Sequence, residues 1–344
     1  MKKVGVLTGG GDCPGLNAVI RAVVRKSMQY DWQIIGIKNG WKGLINGEME
    51  LLNDYSVSGI LPKGGTIIGS SRTNPFKNEE DVKKVLDNIK KFGIDALVAI
   101  GGDDTLGVAA KLHKLGIPVV GVPKTIDNDL SATDYTFGFD TAVSIVTQAI
   151  DRLHTTAESH HRVIVVEVMG RHAGWIATMA GIAGGADEIL IPEEPFTIDE
   201  VCKNIEQRYS KGKTFSIICV AEGARPKEID SLVTKTEEKD DFGHVQLGGI
   251  GNYLAKEIEK SLNVEVRVTV LGYVQRGGTP TARDRVLATR FGIAAVETLK
   301  NGNFGKMVAL QGDKIVPVDL EKAAGVSKTV DKELYEIAKV FFGR

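Results

Sequence analysis

The chain has 344 residues, 42% apolar and 25% charged, with 43 Lys and Arg against 44 Asp and Glu and a formal net charge of −1. That length allows one large or two medium domains with a substantial core, and that charge balance excludes the electrostatic footprint of a nucleic-acid or membrane-surface binder. Cys13, Cys202 and Cys219 are odd in number, far apart and free of any CxxC pairing, which excludes a disulfide framework and a cysteine-built zinc site.

From the N-terminus, Lys2-Lys3-Val4-Gly5-Val6-Leu7 reads as a first strand rather than a signal peptide. No run approaches the ~18 apolar residues of a membrane span, so the expected location is cytoplasmic. Apolar β-type runs recur at 4–8, 33–37, 96–100, 119–122, 163–168, 189–191, 216–221, 266–271 and 307–310. Helical periodicity separates them at 16–28, 79–91, 140–155, 198–209, 248–262 and 283–299, the first helix opened by Pro14 at an early helical position. This alternation predicts βαβ units, an α/β fold and a mostly parallel sheet. A long helix ending near Thr155 and a fresh strand at Arg162 place a division between domains 1–157 and 158–304, with about 305–344 crossing back onto the first. Lys227 to His244, rich in charge and poor in apolar residues, is expected to be a surface excursion.

Two acidic segments directly follow apolar runs: Gly101-Gly102-Asp103-Asp104-Thr105, and Pro123-Lys124-Thr125-Ile126-Asp127-Asn128-Asp129. Both are expected at carboxyl ends of parallel strands, where open α/β sheets bind ligands. Four carboxylates, one lysine and several glycine amides then meet in one crevice. That set suits a Mg²⁺-bound phosphate attacked by an alcohol, because Mg²⁺ takes one or two carboxylates plus phosphate oxygens and the alcohol needs a base nearby. Gly9-Gly10-Gly11-Asp12-Cys13-Pro14-Gly15, between the first strand and first helix, offers backbone N–H groups to an anion but fits neither the Walker nor the dinucleotide spacing. Arg72, Arg162, Arg171, Arg267 and Arg276 stand beside glycines or strand ends and exceed the demand of one phosphate, so two phosphate sites are expected. His154, His160, His161 and His172 are not read as a metal cluster. Trp175 and Met179 read as the buried face of a helix.

These segments resemble the phosphofructokinase family over most of the chain: LTGGGDCPGLNA at 7–18, GGTIIGSSR at 64–72, IGGDDT at 100–105, PKTIDND at 123–129, VVEVMGR at 165–171, Glu222-Gly223, and RVTVLGYVQRGGTP at 267–280. The order PKTIDND, MGR, QRGG is highly specific, whereas GGD alone also occurs in NAD and lipid kinases. The resemblance implies two doubly wound α/β domains with the active site between them, and the glycolytic transfer of a phosphoryl group to the 1-hydroxyl of fructose 6-phosphate. The first domain would take the donor and Mg²⁺, the second the sugar phosphate. Bacterial members are commonly tetramers, so a homodimer or homotetramer with shared sites is implied.

Carried over by motif, Asp127 resembles the general base, with Arg171 and Thr125 also catalytic. Asp103 and Asp129 resemble the Mg²⁺ ligands. Gly11, Arg72, Asp104 and Lys124 fall at the donor, which Arg171 also contacts. Thr125, Asp127, Asp129, Met169, Gly170, Arg171, Glu222, Tyr273 and Arg276 fall at the sugar, and Arg162 and Arg267 resemble arginines that reach the 6-phosphate from a neighbouring subunit. ATP-using bacterial members typically have glycine where this chain has Asp104 and Lys124, and that pairing resembles the pyrophosphate-dependent enzymes. A carboxylate at 104 repels the α-phosphate of ATP by ~4 kcal/mol for unit charges ~4 Å apart at an effective dielectric near ~20. Val108 is expected to narrow the route for adenosine. The expected reaction is therefore reversible transfer from pyrophosphate; an ATP-dependent 6-phosphofructokinase is the alternative, and a non-catalytic sugar-phosphate sensor a more distant one.

Overall fold

The computed structural model describes residues 2–229, 234–243 and 245–344. Its inner strands are apolar runs without alternation. Ala96–Gly101 and Val119–Thr125 are buried at every position, as parallel strands covered on both faces must be. The first sheet holds β1 (Lys3–Thr8), β2 (Gln33–Ile37), β3 (Met49–Leu52), β4 (Ala96–Gly101), β5 (Val119–Thr125), β6 (Phe137–Gly138) and, from the end of the chain, β13 (Lys306–Gln311) and β14 (Lys314–Asp319). Their order is β14-β13-β5-β4-β1-β2-β3 with β6 beside β5, and only the edge strands β3 and β14 run antiparallel to their neighbours. The second sheet is wholly parallel, in the order β12-β7-β9-β8, from β7 (Val163–Val168), β8 (Glu188–Leu190), β9 (Ser216–Ala221) and β12 (Val266–Val270).

Helices cover both faces of both sheets. On the first lie α1 (Leu16–Met28), α2 (Trp41–Asn46), α3 (Glu79–Phe92), α4 (Asp103–Lys114), α9 (Ala282–Lys300) and α10 (Leu320–Ala323). On the second lie α5 (Phe139–His160), α6 (Trp175–Ala183), α7 (Ile198–Ser210), α8 (Ile250–Leu262) and α11 (Lys332–Lys339). Local chemistry sets their ends. In α3, Asn78 accepts a hydrogen bond from the Asp81 N–H, acids fill the first turn, Lys90 and Lys91 the last, and Gly93 closes the helix with φ 65°. Pro14 stands just before α1 rather than inside it, since Gly15 caps that helix. One apolar layer runs continuously from the inner face of the first sheet through α1, α5 and α9 to the inner face of the second.

Packing divides the chain differently from the sequence expectation of 1–157, 158–304 and a returning tail. Helix α5 packs on α6, β7 and β9 of the second sheet, and α9 packs on α1 and the first sheet. Hairpin β13–β14 does return to the first sheet, but α11 then goes to α6 and β8, where the Tyr335 hydroxyl donates to the Ile189 carbonyl at 2.7 Å. The chain thus passes between the sheets at Gly138, at 277–281 and at 324–331. The first two passages are tied together: the Asp284 carboxylate accepts from the N–H and hydroxyl of Thr141 at 2.8 and 2.5 Å, and the Thr281 hydroxyl donates to Asp140 at 2.6 Å.

Within the charged stretch 227–244, residues 230–233 and 244 lie outside the described residues. Thr234–Lys239 (β10) pairs with Val245–Leu247 (β11), and the tip between them reaches the first sheet's side of the cleft, with Asp240 3.6 Å from Arg72 and Asp241 2.6 Å from Lys77. Among the described residues no helix is long and apolar enough to cross a membrane.

Candidate active site

Strands β1, β4 and β5 are adjacent and parallel, so the turns that follow them share one edge of the first sheet. The glycine loop 9–15 leaves β1, the Asp103 turn leaves β4 and the Thr125–Asp129 segment leaves β5. Asp103 and Asp104 are not in a bare turn: they form the first turn of α4, where the helix dipole favours carboxylates. Small residues let this edge close up. A Cβ on Gly9 would lie 2.5 Å from the Thr105 hydroxyl, and one on Gly11 would lie 2.7 Å from the Arg276 guanidinium.

Asp127 is 7% exposed and its two carboxylate oxygens differ. Oδ2 accepts from the Thr125 hydroxyl at 3.2 Å, that hydroxyl itself accepting the Asp127 N–H at 3.0 Å, while the buried Oδ1 has no partner. An unpartnered buried carboxylate oxygen is costly in an empty site and useful in one that receives a hydroxyl. Burial first, then the neighbouring Asp127 charge, raises the Asp129 carboxyl well above the ordinary range, with Arg171 acting against the shift. Asn128 between them has φ 52°, and its Oδ1 accepts the Thr136 N–H at 3.1 Å.

Lys124 is 3% exposed, and burial pushes its ammonium pKa down. Its Nζ donates to the Gly11 carbonyl, so in this conformation it braces the glycine loop. Val108 does not narrow the cleft directly. It is buried in the core of the first sheet's outer face and is not among the cavity-lining residues.

The second sheet supplies the facing wall. Gly170 adopts φ 154° and a Cβ there would meet the Ala173 carbonyl at 2.4 Å; Arg171 follows with φ 57°. The Arg171 N–H donates to Glu222 at 3.2 Å, and burial, then the Asp127 charge, pushes the Glu222 carboxyl up to about 7. Across the cleft, the Arg171 guanidinium lies 3.8 Å from Asp104. Met169 donates its N–H to the fully buried Gln275 at 3.2 Å, and Arg276 donates to the Asp12 carbonyl at 3.3 Å while its Nε has no partner. A cavity of about 460 Å³ opens here, lined by Gly10, Gly11, Asp12, Thr66, Ser70, Arg72, Tyr273 and Arg276.

Arg162 and Arg267 are not in this cleft. They stand at the amino-terminal ends of β7 and β12, opposite to Met169 and Arg171: along the strand direction Arg162 is seven extended residues, about 23 Å, from Met169, and Arg267, level with Ile164, is five, about 16 Å. Both pair with Glu265, Arg162 at 2.8 Å.

The donor set around Asp127 is oxygen only, as Mg²⁺ prefers. Among the described residues no three His, Cys, Asp or Glu side chains gather closely enough to enclose a metal, so any Mg²⁺ here needs ligand oxygens as well. The raised carboxyl of Asp129 and the free Oδ1 of Asp127 fit a place that gains a cation together with phosphate. Motif reading missed Lys328, whose ammonium donates to Asn128 and to two carbonyls of the following loop. It also missed Gln275 as a positioning group. Lys328 carries no motif of its own.

A family model described as phosphofructokinase matches residues 3–299. The pyrophosphate–fructose 6-phosphate 1-phosphotransferase of Streptomyces coelicolor is 60% identical over 343 residues, which cover 99% of this chain and 100% of that one. ATP-dependent 6-phosphofructokinase 2 of the same organism is 53% identical over 341 residues, again 99% of this chain and 100% of that one. Among solved structures, Pichia pastoris phosphofructokinase in the T-state superposes with a TM-score of 0.84 at 32% identity, over 99% of this chain and 36% of that one.

Proposed function

The chain belongs to the phosphofructokinase family, and from that premise we propose that it transfers a phosphoryl group reversibly between pyrophosphate and the 1-hydroxyl of fructose 6-phosphate, as a glycolytic enzyme of the cytoplasm. The observation that carries the chemistry is the buried, unpartnered Oδ1 of Asp127, beside Thr125 and opposite Arg171. The greater identity to the pyrophosphate-using relative supports the donor, as does Asp104 at the mouth of α4.

In the forward direction Asp127 takes the proton of the sugar 1-hydroxyl as the new O–P bond forms, and the bridging P–O bond of pyrophosphate breaks to release phosphate. Thr125 holds the base by its other oxygen. Arg171 stabilises charge on the transferred group, and Gly11, Arg72 and Lys124 hold the donor. Met169, Gly170, Glu222, Tyr273 and Arg276 form the sugar wall. Asp103 and Asp129 are the residues that would hold Mg²⁺, which when bound neutralises phosphate charge and orients the donor. A coupled assay with fructose 6-phosphate and Mg²⁺, comparing the two donors, tests the assignment. Pyrophosphate is expected to give the higher kcat/KM, and a preference for ATP would overturn it.

Arg162 and Arg267 belong in this reading to the site of a neighbouring subunit, since their own cleft is at the other end of the strands. Arg162→Ala alone and Asp127→Ser alone should each be nearly inactive. Mixed and reassembled, they should regain activity in roughly a quarter of sites, because half the dimers are hybrids and each hybrid has one intact site. Failure of the mixture to recover any activity would place these arginines outside a shared site.

A further inference from the structure

A short strap, residues 325–328, crosses the acidic edge on its way from α10 to α11 and touches it at Asp103, Asn128, Asp129 and Leu130. The Gly325 N–H donates to Asp103 at 2.5 Å, Ser327 forms a β-bridge with Leu130, and the Lys328 N–H donates to the Asp129 carbonyl at 2.7 Å. The Lys328 carbonyl accepts from Trp175 Nε1 on α6 at 2.9 Å, and its ammonium lies 5.3 Å from the Trp175 ring centroid. The ammonium spends its three donors on one segment: Asn128 Oδ1 at 3.2 Å, and the Thr133 and Asp134 carbonyls at 2.9 Å each.

The hydrogen bonds of the ammonium all go to the loop that carries Asp129 and follows Asp127. Here all three donors go to neutral oxygens that close the loop 128–134 upon itself. Asn128 is the residue between Asp127 and Asp129, and its left-handed backbone sets the angle between them. Holding its side chain therefore holds both carboxylates. We propose that Lys328 is a positioning residue for phosphoryl transfer, fixing the Asp127–Asp129 turn against the second sheet so that both carboxylates face the cleft. This rests on the roles given to Asp127 and Asp129 above.

Lys328→Met, close in length and without donors, should lower kcat by ~10- to 100-fold, the scale of a misplaced catalytic group, while KM for pyrophosphate and fructose 6-phosphate changes less than about threefold. A merely structural lysine would lower Tm and the active fraction, leaving turnover per folded site intact. Lys328→Cys supplies the second readout, because aminoethylation of the introduced thiol rebuilds a side chain ending in an ammonium; Cys13, Cys202 and Cys219 are buried and treated wild type is the control. Recovery of most of the lost kcat is expected. Normal turnover in folded Lys328→Met, or no recovery on aminoethylation, overturns the proposal. Asp127→Ser assayed in parallel separates the two levels: if it stays active the site reading fails, and if it is dead while Lys328→Met is normal only the positioning role fails.

Discussion

Replacing Asp127 with serine is expected to lower kcat by at least ~10²-fold, the usual scale of a lost general base, without a loss of thermal stability. The second half of that expectation comes from the structure. Oδ1 of Asp127 is buried with no partner, so the folded protein carries the cost of an unsatisfied carboxylate oxygen that a serine removes. The hydrogen bond lost from Oδ2 is a single one, to the Thr125 hydroxyl two residues away. Activity and stability should therefore move apart, with turnover collapsing and Tm holding or rising. Asp127→Asn keeps the shape and should be equally inactive. Near-normal turnover in either variant removes Asp127 from the mechanism.

The donor preference should follow Asp104 and Lys124, though not in equal ways. Asp104→Gly removes a carboxylate from the first turn of α4 and frees Arg171, 3.8 Å away, so ATP kcat/KM should rise by about tenfold as repulsion of the α-phosphate is relieved. Lys124 is buried and bonded to the Gly11 carbonyl. Lys124→Gly should accordingly damage pyrophosphate use and also lower Tm by loosening the glycine loop, with little gain toward ATP. The double variant should favour ATP. The two changes are expected to couple, since both residues face one ligand and sites in contact with it rarely act additively. Measuring kcat/KM for both donors in all four proteins decides this, and an Asp104→Gly protein with no gain toward ATP would sink the electrostatic explanation.

Much of the scaffold was legible because parallel strands buried on both faces leave unbroken apolar runs, as Ala96–Ile100 does. Helix α1 was readable to the residue from its apolar spacing, although Pro14, read as opening it, stands before the Gly15 cap. Helix α4 was not, since Asp103-Asp104-Thr105 reads as a turn and Gly107 interrupts the pattern. Edge strand β14 escaped because it holds Pro317 and buries none of its residues fully, so no continuous apolar run announces it. The packing of α5 and α9 was illegible for a different reason: nothing within Phe139–His160 or Ala282–Lys300 says which sheet the helix will cover. At the site, the acidic turns were legible through their place after apolar runs. Lys328 was not, because its meaning depends on oxygens about two hundred residues earlier in the chain.

The three passages of backbone between the sheets bear on how the cleft can breathe. Two bodies joined by a single linker can twist as well as open, like a lamp on a cord. Here Gly138, 277–281 and 324–331 act as three separate tethers, the first two stitched by Asp284 and Thr141 and the third fastened to the Asp127 turn. Such a joint behaves as a door on several hinges: it bends about one line and resists torsion. The Asp104–Arg171 distance is then the natural measure of how far the door stands ajar, because these side chains face each other from opposite leaves. A ligand that drew both toward its phosphates would shorten that distance by bending at these tethers.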